Sequence, residues 1–281
     1  MGIKQRGSVM RIHKVTYNLL FIIKETFRNR ITLLLLLLIP AIFYFIAFYT
    51  TSDIPILIKI ASAPKEAVIL MKPKDLGLIY IGLAAAGFIT SFLALNIMQK
   101  NTQASKRQKL CGYSAIELSL TKLVFVISVV VVLGVYTGGL GLMLMTPKHF
   151  SGVILGYVLC GFVYGSFGLF IGAIFKKELE GILVIVLLAN LDIGWLQNPI
   201  YYSAAPSKFI IRLLPGFNPS QVAVISSFSD YSISSQVIYS LIYGSVFLIL
   251  SMIILGIRMK TYGSAITHLD SPDKQDNNIS D

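Results

Sequence analysis

The sequence predicts an all-α integral membrane protein, six transmembrane helices with an N-terminal amphipathic interfacial helix, and three observations lead there. The 281 residues are 55% hydrophobic and only 13% charged, with a mean hydropathy of +0.76, a profile that a water-soluble domain of this length cannot hide from solvent. The apolar residues are gathered into blocks close to the ~20 residues that a helix needs to cross a ~30 Å hydrocarbon core. The Lys and Arg residues lie mostly between or beside those blocks, so the net charge of +11 reflects topology and lipid headgroups and not nucleic acid.

Taken in order, residues 1–30 form a cytoplasmic tail and a basic amphipathic segment over 9–30. That segment ends in the collar Arg28-Asn29-Arg30 and reads as a helix lying on the membrane surface. The first span, 31–51, is longer than a signal-peptide core, and the nearest small-x-small site, Ala61-Ser62-Ala63, lies too far beyond it for cleavage. Five further spans follow at 76–98, 123–145, 150–175, 181–196 and 237–257, completing a transmembrane domain over 31–257. The polar tail, 258–281, is expected to be disordered. With these spans, 17 of the 24 Lys and Arg fall on one side and 7 on the other. The positive-inside rule therefore puts both termini in the cytoplasm of a multi-pass protein of the cell membrane.

Three connections are long enough to carry structure. The one over 99–122 is basic at Lys106, Arg107 and Lys109, breaks at Gly112 and restarts at Ser114, with Glu117 at the capping-box position and Ile116, Leu120 and Leu123 on one face. It reads either as helix, turn, helix at the membrane surface or as a solvated topogenic loop. The segment 198–219 is too apolar for an ordinary loop; Pro199, Pro206, Pro215 and Pro219 divide it, and Phe209, Ile210, Leu213 and Leu214 offer one apolar face. It is either partly re-entrant or an interfacial helix that only packs.

Inside the spans, glycines recur at 152, 156, 161, 165, 168 and 172, and again at 134 and 138, a spacing that lets helix backbones approach closely. Asp192 is the one acid deep in an apolar span. It is a functional candidate by position, or it sits near the outer interface beside Trp195 and pairs with Lys208 or Arg212. Lys176, Lys177, Glu178 and Glu180 read as a solvated turn. Cys111 and Cys160 fall in a basic loop and in a span, which does not indicate a disulfide.

The sequence has no G-x-x-x-x-G-K-[ST] loop, so ATP hydrolysis by that route is not expected of this chain. His13, His149 and His268 are spread over the N-terminal segment, a span edge and the tail, and offer neither a zinc cluster nor a base for Ser166 in Gly165-Ser166-Phe167-Gly168. No catalytic, cofactor-binding or metal residue is therefore expected.

The amphipathic N-terminus, the six spans, the turn Lys106-Arg107-Gln108-Lys109-Leu110-Cys111-Gly112-Tyr113-Ser114 with Glu117 and Lys122, and the proline-rich segment together resemble the permease subunits of type-2 ABC exporters, over nearly the whole chain. The resemblance implies that 99–122 is a coupling helix docking on a cytoplasmic ATPase, with Lys106, Arg107, Lys109, Tyr113, Ser114 and Glu117 as coupling candidates. Residues 9–30 would be the connecting helix beside it, and Pro199, Pro206, Pro215 and Pro219 would belong to an outer gate. It further implies a homodimer or heterodimer of permeases with separate ATPase subunits that hold ATP and Mg, moving a drug, peptide or lipid. Two other classes compete: a membrane enzyme built on Asp192 and Asn190, and a non-transporting immunity or sensory protein that binds a hydrophobic peptide on its outer loops.

Overall fold

Asn29 divides the N-terminal region into two helices, α1 (Gly2–Arg28) and α2 (Arg30–Thr50), because its side chain leaves the helical path and accepts from the backbone N–H of Thr32 at 3.3 Å. The computed structural model of the chain describes residues 2–61, 68–100, 108 and 113–269. After α2 comes a hairpin of β1 (Ile56–Lys59) and β2 (Val68–Met71), antiparallel, with Leu57 opposite Leu70 and Ile58 opposite Ile69. Then follow α3 (Pro73–Lys100), α4 (Ala115–Leu144) and α5 (Phe150–Ile174). The fifth span is α6 (Glu178–Ala189) continued by a π-helical turn over Asn190–Leu196. Three short helices, α7 (Pro199–Ala204), α8 (Lys208–Leu213) and α9 (Phe217–Phe228), lead to the long α10 (Ser234–Leu269).

Six of these stretches are long and apolar enough to cross a membrane: 30–50, 73–99, 117–144, 150–174, 178–196 and 234–258. Each coincides with an expected span to within a turn or two. Three expectations need correction. The N-terminal helix starts at Gly2, well before residue 9. The hairpin is an element that periodicity did not reveal. The helix of the last span runs through Leu269, so the first part of the expected disordered tail is helical; residues beyond Leu269 lie outside the described ones.

The core sits around α3 and α5, whose most apolar windows are 67% and 72% buried, against 17% for α2 and for α10. The glycines of α5 are the reason these helices can pack so closely. A Cβ on Gly168 would lie 2.2 Å from the carbonyl oxygen of Ser91, and one on Gly156 would lie 2.8 Å from the backbone nitrogen of Ala223. The close approach is therefore backbone to backbone. Ile58, Ile60 and Met71 of the hairpin join Tyr44, Leu76 and Val224 in the main core, so the hairpin caps one end of the bundle. At the other end Ile22 of α1 packs with Ile97 and Phe125.

Candidate functional site

Asp192 is fully buried, and its surroundings are built from four segments distant in sequence. Tyr164 of α5 donates its hydroxyl to Oδ2 at 2.6 Å, and the backbone N–H of Gly216 donates to the same oxygen at 2.6 Å. Gln197 donates its amide to Oδ1 at 2.6 Å. The π-helical turn makes the last contact possible. Its i to i+5 bond, from Gln197 N–H to the Asp192 carbonyl at 3.0 Å, widens the helix so that residues five apart come onto one face. Tyr80 of α3 holds the far side of Gln197 by donating to its carbonyl at 2.5 Å.

Three neutral donors thus satisfy the carboxyl, as burial without a cation demands. The expected pairing with Lys208 or Arg212 is corrected: Arg212 donates to the Tyr202 hydroxyl at 2.8 Å, and Lys208 lies 5.5 Å above the Tyr202 ring. Both cations gather on α7 instead. Position 216 must be glycine, since a Cβ there would stand 2.7 Å from Asp192 Oδ2. Asn190 turns away and donates to the Val186 carbonyl at 2.8 Å, so it does not converge with Asp192. Among the described residues no group of three or more His, Cys, Asp or Glu is placed to hold a metal. These hydrogen bonds pin the segment that leads into α9 onto the bundle.

The four prolines punctuate that segment as their missing N–H groups require. Pro199 begins α7, Pro206 and Pro215 fall in the breaks before α8 and before α9, and Pro219 occupies the first turn of α9. Deeper in the bundle, Tyr44 donates to the Thr137 carbonyl at 3.1 Å and lies 3.4 Å from the Tyr157 hydroxyl, while Cys160 donates to the Leu83 carbonyl at 3.4 Å.

At the opposite end the structure brings together α1 and the start of α4. Ser114 and Glu117 form the expected capping box, with Glu117 N–H to Ser114 Oγ at 3.2 Å and Ser114 N–H to Glu117 Oε2 at 2.9 Å. Gln108 donates to Asn18 Oδ1 at 2.9 Å, the Tyr113 N–H reaches the Gln108 carbonyl at 3.1 Å, and Lys14 lies 5.3 Å over the Tyr113 ring. Gln108 and Tyr113 are thus joined to α1, with Ser114 and Glu117 capping α4 directly after them; Lys106, Arg107 and Lys109 lie outside the described residues. Lys122, about two turns beyond the N-cap Ser114, is buried with its Nζ 3.9 Å from Met98 Sδ.

An apolar groove of about 310 Å³ runs beside α2, lined by Ile39, Phe43, Phe88 and Val186, with Asn190 as a polar side. A second cavity of about 270 Å³ lies where α1 meets α2, between Glu25, Asn29 and Asn96.

Tyr164, Gln197, Gly216 and Tyr80 belong to this buried cluster and were not singled out in the sequence. The only signal for them was the buried acid itself, which had to find donors somewhere. Neither family models nor curated proteins yield a match to this chain. What the fold defines directly is a multi-pass membrane protein of six candidate spans.

Proposed function

We propose that the chain is the membrane-spanning permease subunit of an ATP-driven exporter of the type-2 ABC class. It would stand in the cell membrane with both termini cytoplasmic and work as a homodimer or heterodimer with a related permease, the energy coming from separate ATPase subunits that bind ATP and Mg. The observation that carries this reading is the single surface made by α1 and the capped start of α4, joined through Gln108, Asn18, Lys14 and Tyr113. A helix start fixed by a capping box is a stiff place to receive a push. From there α4 extends for 30 residues and packs on α5, the helix that supplies Tyr164 to Asp192.

In this mechanism closure of the ATPases displaces the α1–α4 surface, and the movement reaches the other end as a rearrangement of the segment held at Asp192. The cargo is hydrophobic or amphipathic, since the larger groove beside α2 is almost wholly apolar.

The test is co-expression with candidate ATPases followed by purification through this chain. An ATPase co-purifies, its hydrolysis rises with the permease, and Glu117→Ala removes that stimulation while leaving the amount of folded permease unchanged. Failure of every ATPase to co-purify, together with no effect of Glu117→Ala, overturns the assignment.

A further inference from the structure

Beyond Asp192, Gln197 presents a second problem of hydrogen bonding. Its side chain is 2% exposed, and its Nε2 is committed to Asp192 at 2.6 Å. Nε2 also lies 3.4 Å from the Ile211 carbonyl, so turning the amide end over end would set oxygen against oxygen there. Its Oε1 therefore faces away from Asp192, and it is buried with no hydrogen-bond partner among the described residues. An orphaned amide oxygen costs about 1–3 kcal/mol unless something donates to it.

Gln197 also lines a void of about 10 Å³, and Gln221, Tyr202 and Val224 form its other walls together with residues 58–61 of β1 and its continuation. That size is close to the smallest, ~10–15 Å³, that admits one water. The void has polar walls on more than one side. Gln221 is 4% exposed. Among the described residues β1 ladders with β2, and its other edge lies beside α7. Lys59 also lines the void, which disfavours a metal cation as occupant.

We propose that this void is a built site for one water molecule, which donates to Gln197 Oε1 and is held on its far side by Gln221 and by backbone groups of residues 58–61. The water completes a chain from Tyr164 through Asp192 and Gln197 to the hairpin. It thereby links the hairpin, the π-helical turn and α9 to one another through its own hydrogen bonds. The site stands independently of any transport function.

The full-length protein in lipid nanodiscs is exposed to microsecond X-ray pulses, which generate hydroxyl radicals at bound waters and oxidise the nearest side chains. Tyr202 and Ile58 are 5% and 6% exposed and Tyr157 is 0% exposed; with each rate normalised to the intrinsic reactivity of its side chain, oxidation of Tyr202 and Ile58 is expected to exceed that of Tyr157 by several-fold. Val224→Leu adds one methylene to the wall and expels the water; the oxidation of Tyr202 and Ile58 then falls to the level of Tyr157. The proposal is overturned if the two residues are oxidised no faster than Tyr157 in the unmodified protein. It is equally overturned if Val224→Leu folds, as judged by its elution volume, and leaves the labelling unchanged.

Discussion

Asp192 illustrates how a buried acid is kept with no counter-ion among the described residues: two side-chain donors and one backbone donor meet it within 2.6 Å each. Removing one donor should therefore cost about 1–3 kcal/mol, the range for a buried acceptor deprived of a partner. Tyr164→Phe is expected to lower stability by that amount in unfolding titrations in mixed micelles. Gly216→Ala should do at least as much harm, because its Cβ meets the carboxylate oxygen itself; stability equal to the parent in both variants would contradict the geometry. A second residue-scale prediction concerns Asp230, outside the spans. Hydrogen bonds from Lys148 and then His149 hold its carboxyl below the ordinary carboxylate range. A depressed value in the folded state means the tie is fully present above the unfolded value of ~3.9 and is lost as pH falls through the lower folded one. The amides of Lys148 and His149, which bond to the Ser227 and Ser226 carbonyls at 3.0 and 2.9 Å, should keep their deuterium protection down to about pH 4 and lose it below. Asp230→Asn should abolish that pH dependence. The acid at 192 was legible in the sequence, but its donors were not: Tyr164 and Gly216 lie 28 and 24 residues away, and nothing in a tyrosine or a Pro-Gly pair specifies such a partner.

At the scale of elements, the glycines of the spans separate into two kinds that spacing alone could not distinguish. Gly168 meets the backbone of Ser91, whereas Gly139 and Gly256 have nothing within 4 Å of an added Cβ. Alanine at 168 must push α3 and α5 apart and should cost about 1–3 kcal/mol as an overpacked core site does. Alanine at 139 or 256 should be neutral or stabilise by up to about 1 kcal/mol through its better helix propensity. Thermal unfolding of the three variants in one detergent decides it, and equal effects at all three would mean that α5 does not pack backbone to backbone. The helices were legible because a long apolar run in lipid has no alternative to hydrogen-bonding within itself. The capping box at Ser114 and Glu117 was legible for a similar reason, since it is made of residues only three apart. The hairpin was not. Ile56-Leu57-Ile58-Lys59 and Val68-Ile69-Leu70-Met71 carry apolar residues on both faces, because one face enters the core and Leu57 and Leu70 stand opposite each other on the exposed face, so no alternation marks them as strands. The π-helical turn is likewise set by tertiary contacts at Asp192, not by local propensity.

For the molecule as a whole, burial is distributed very unevenly, and that has a mechanical consequence. The bundle is held from the centre by α3 and α5, while α2 and α10 bury about a sixth of their most apolar windows, so in detergent the outer helices keep wide unpacked faces, although α10 packs along α5. Local opening follows buried contact, and the elements with least of it open at the lowest free energy. What attaches α2 is specific and sparse: Tyr44, 1% exposed, donates to Thr137, and Tyr136 of α4 donates to the Leu37 carbonyl at 2.5 Å. Hydrogen–deuterium exchange on the full chain in micelles should accordingly show α2 and α10 taking up label well before α5. Tyr44→Phe keeps the ring in the core but removes the hydroxyl, and should raise uptake in α2 with little change in α5. Transfer into nanodiscs should slow α2 and α10 most, because lipid then covers the faces left open. Uniform protection across the six spans, or an effect of Tyr44→Phe spread evenly over them, would show that the bundle opens as one unit and that α2 is not separately hinged. A helix that can leave the centre independently is what any movement between the α1–α4 surface and the Asp192 pin requires. The exchange experiment therefore tests a precondition of the proposed transport cycle without needing either the cargo or the ATPase.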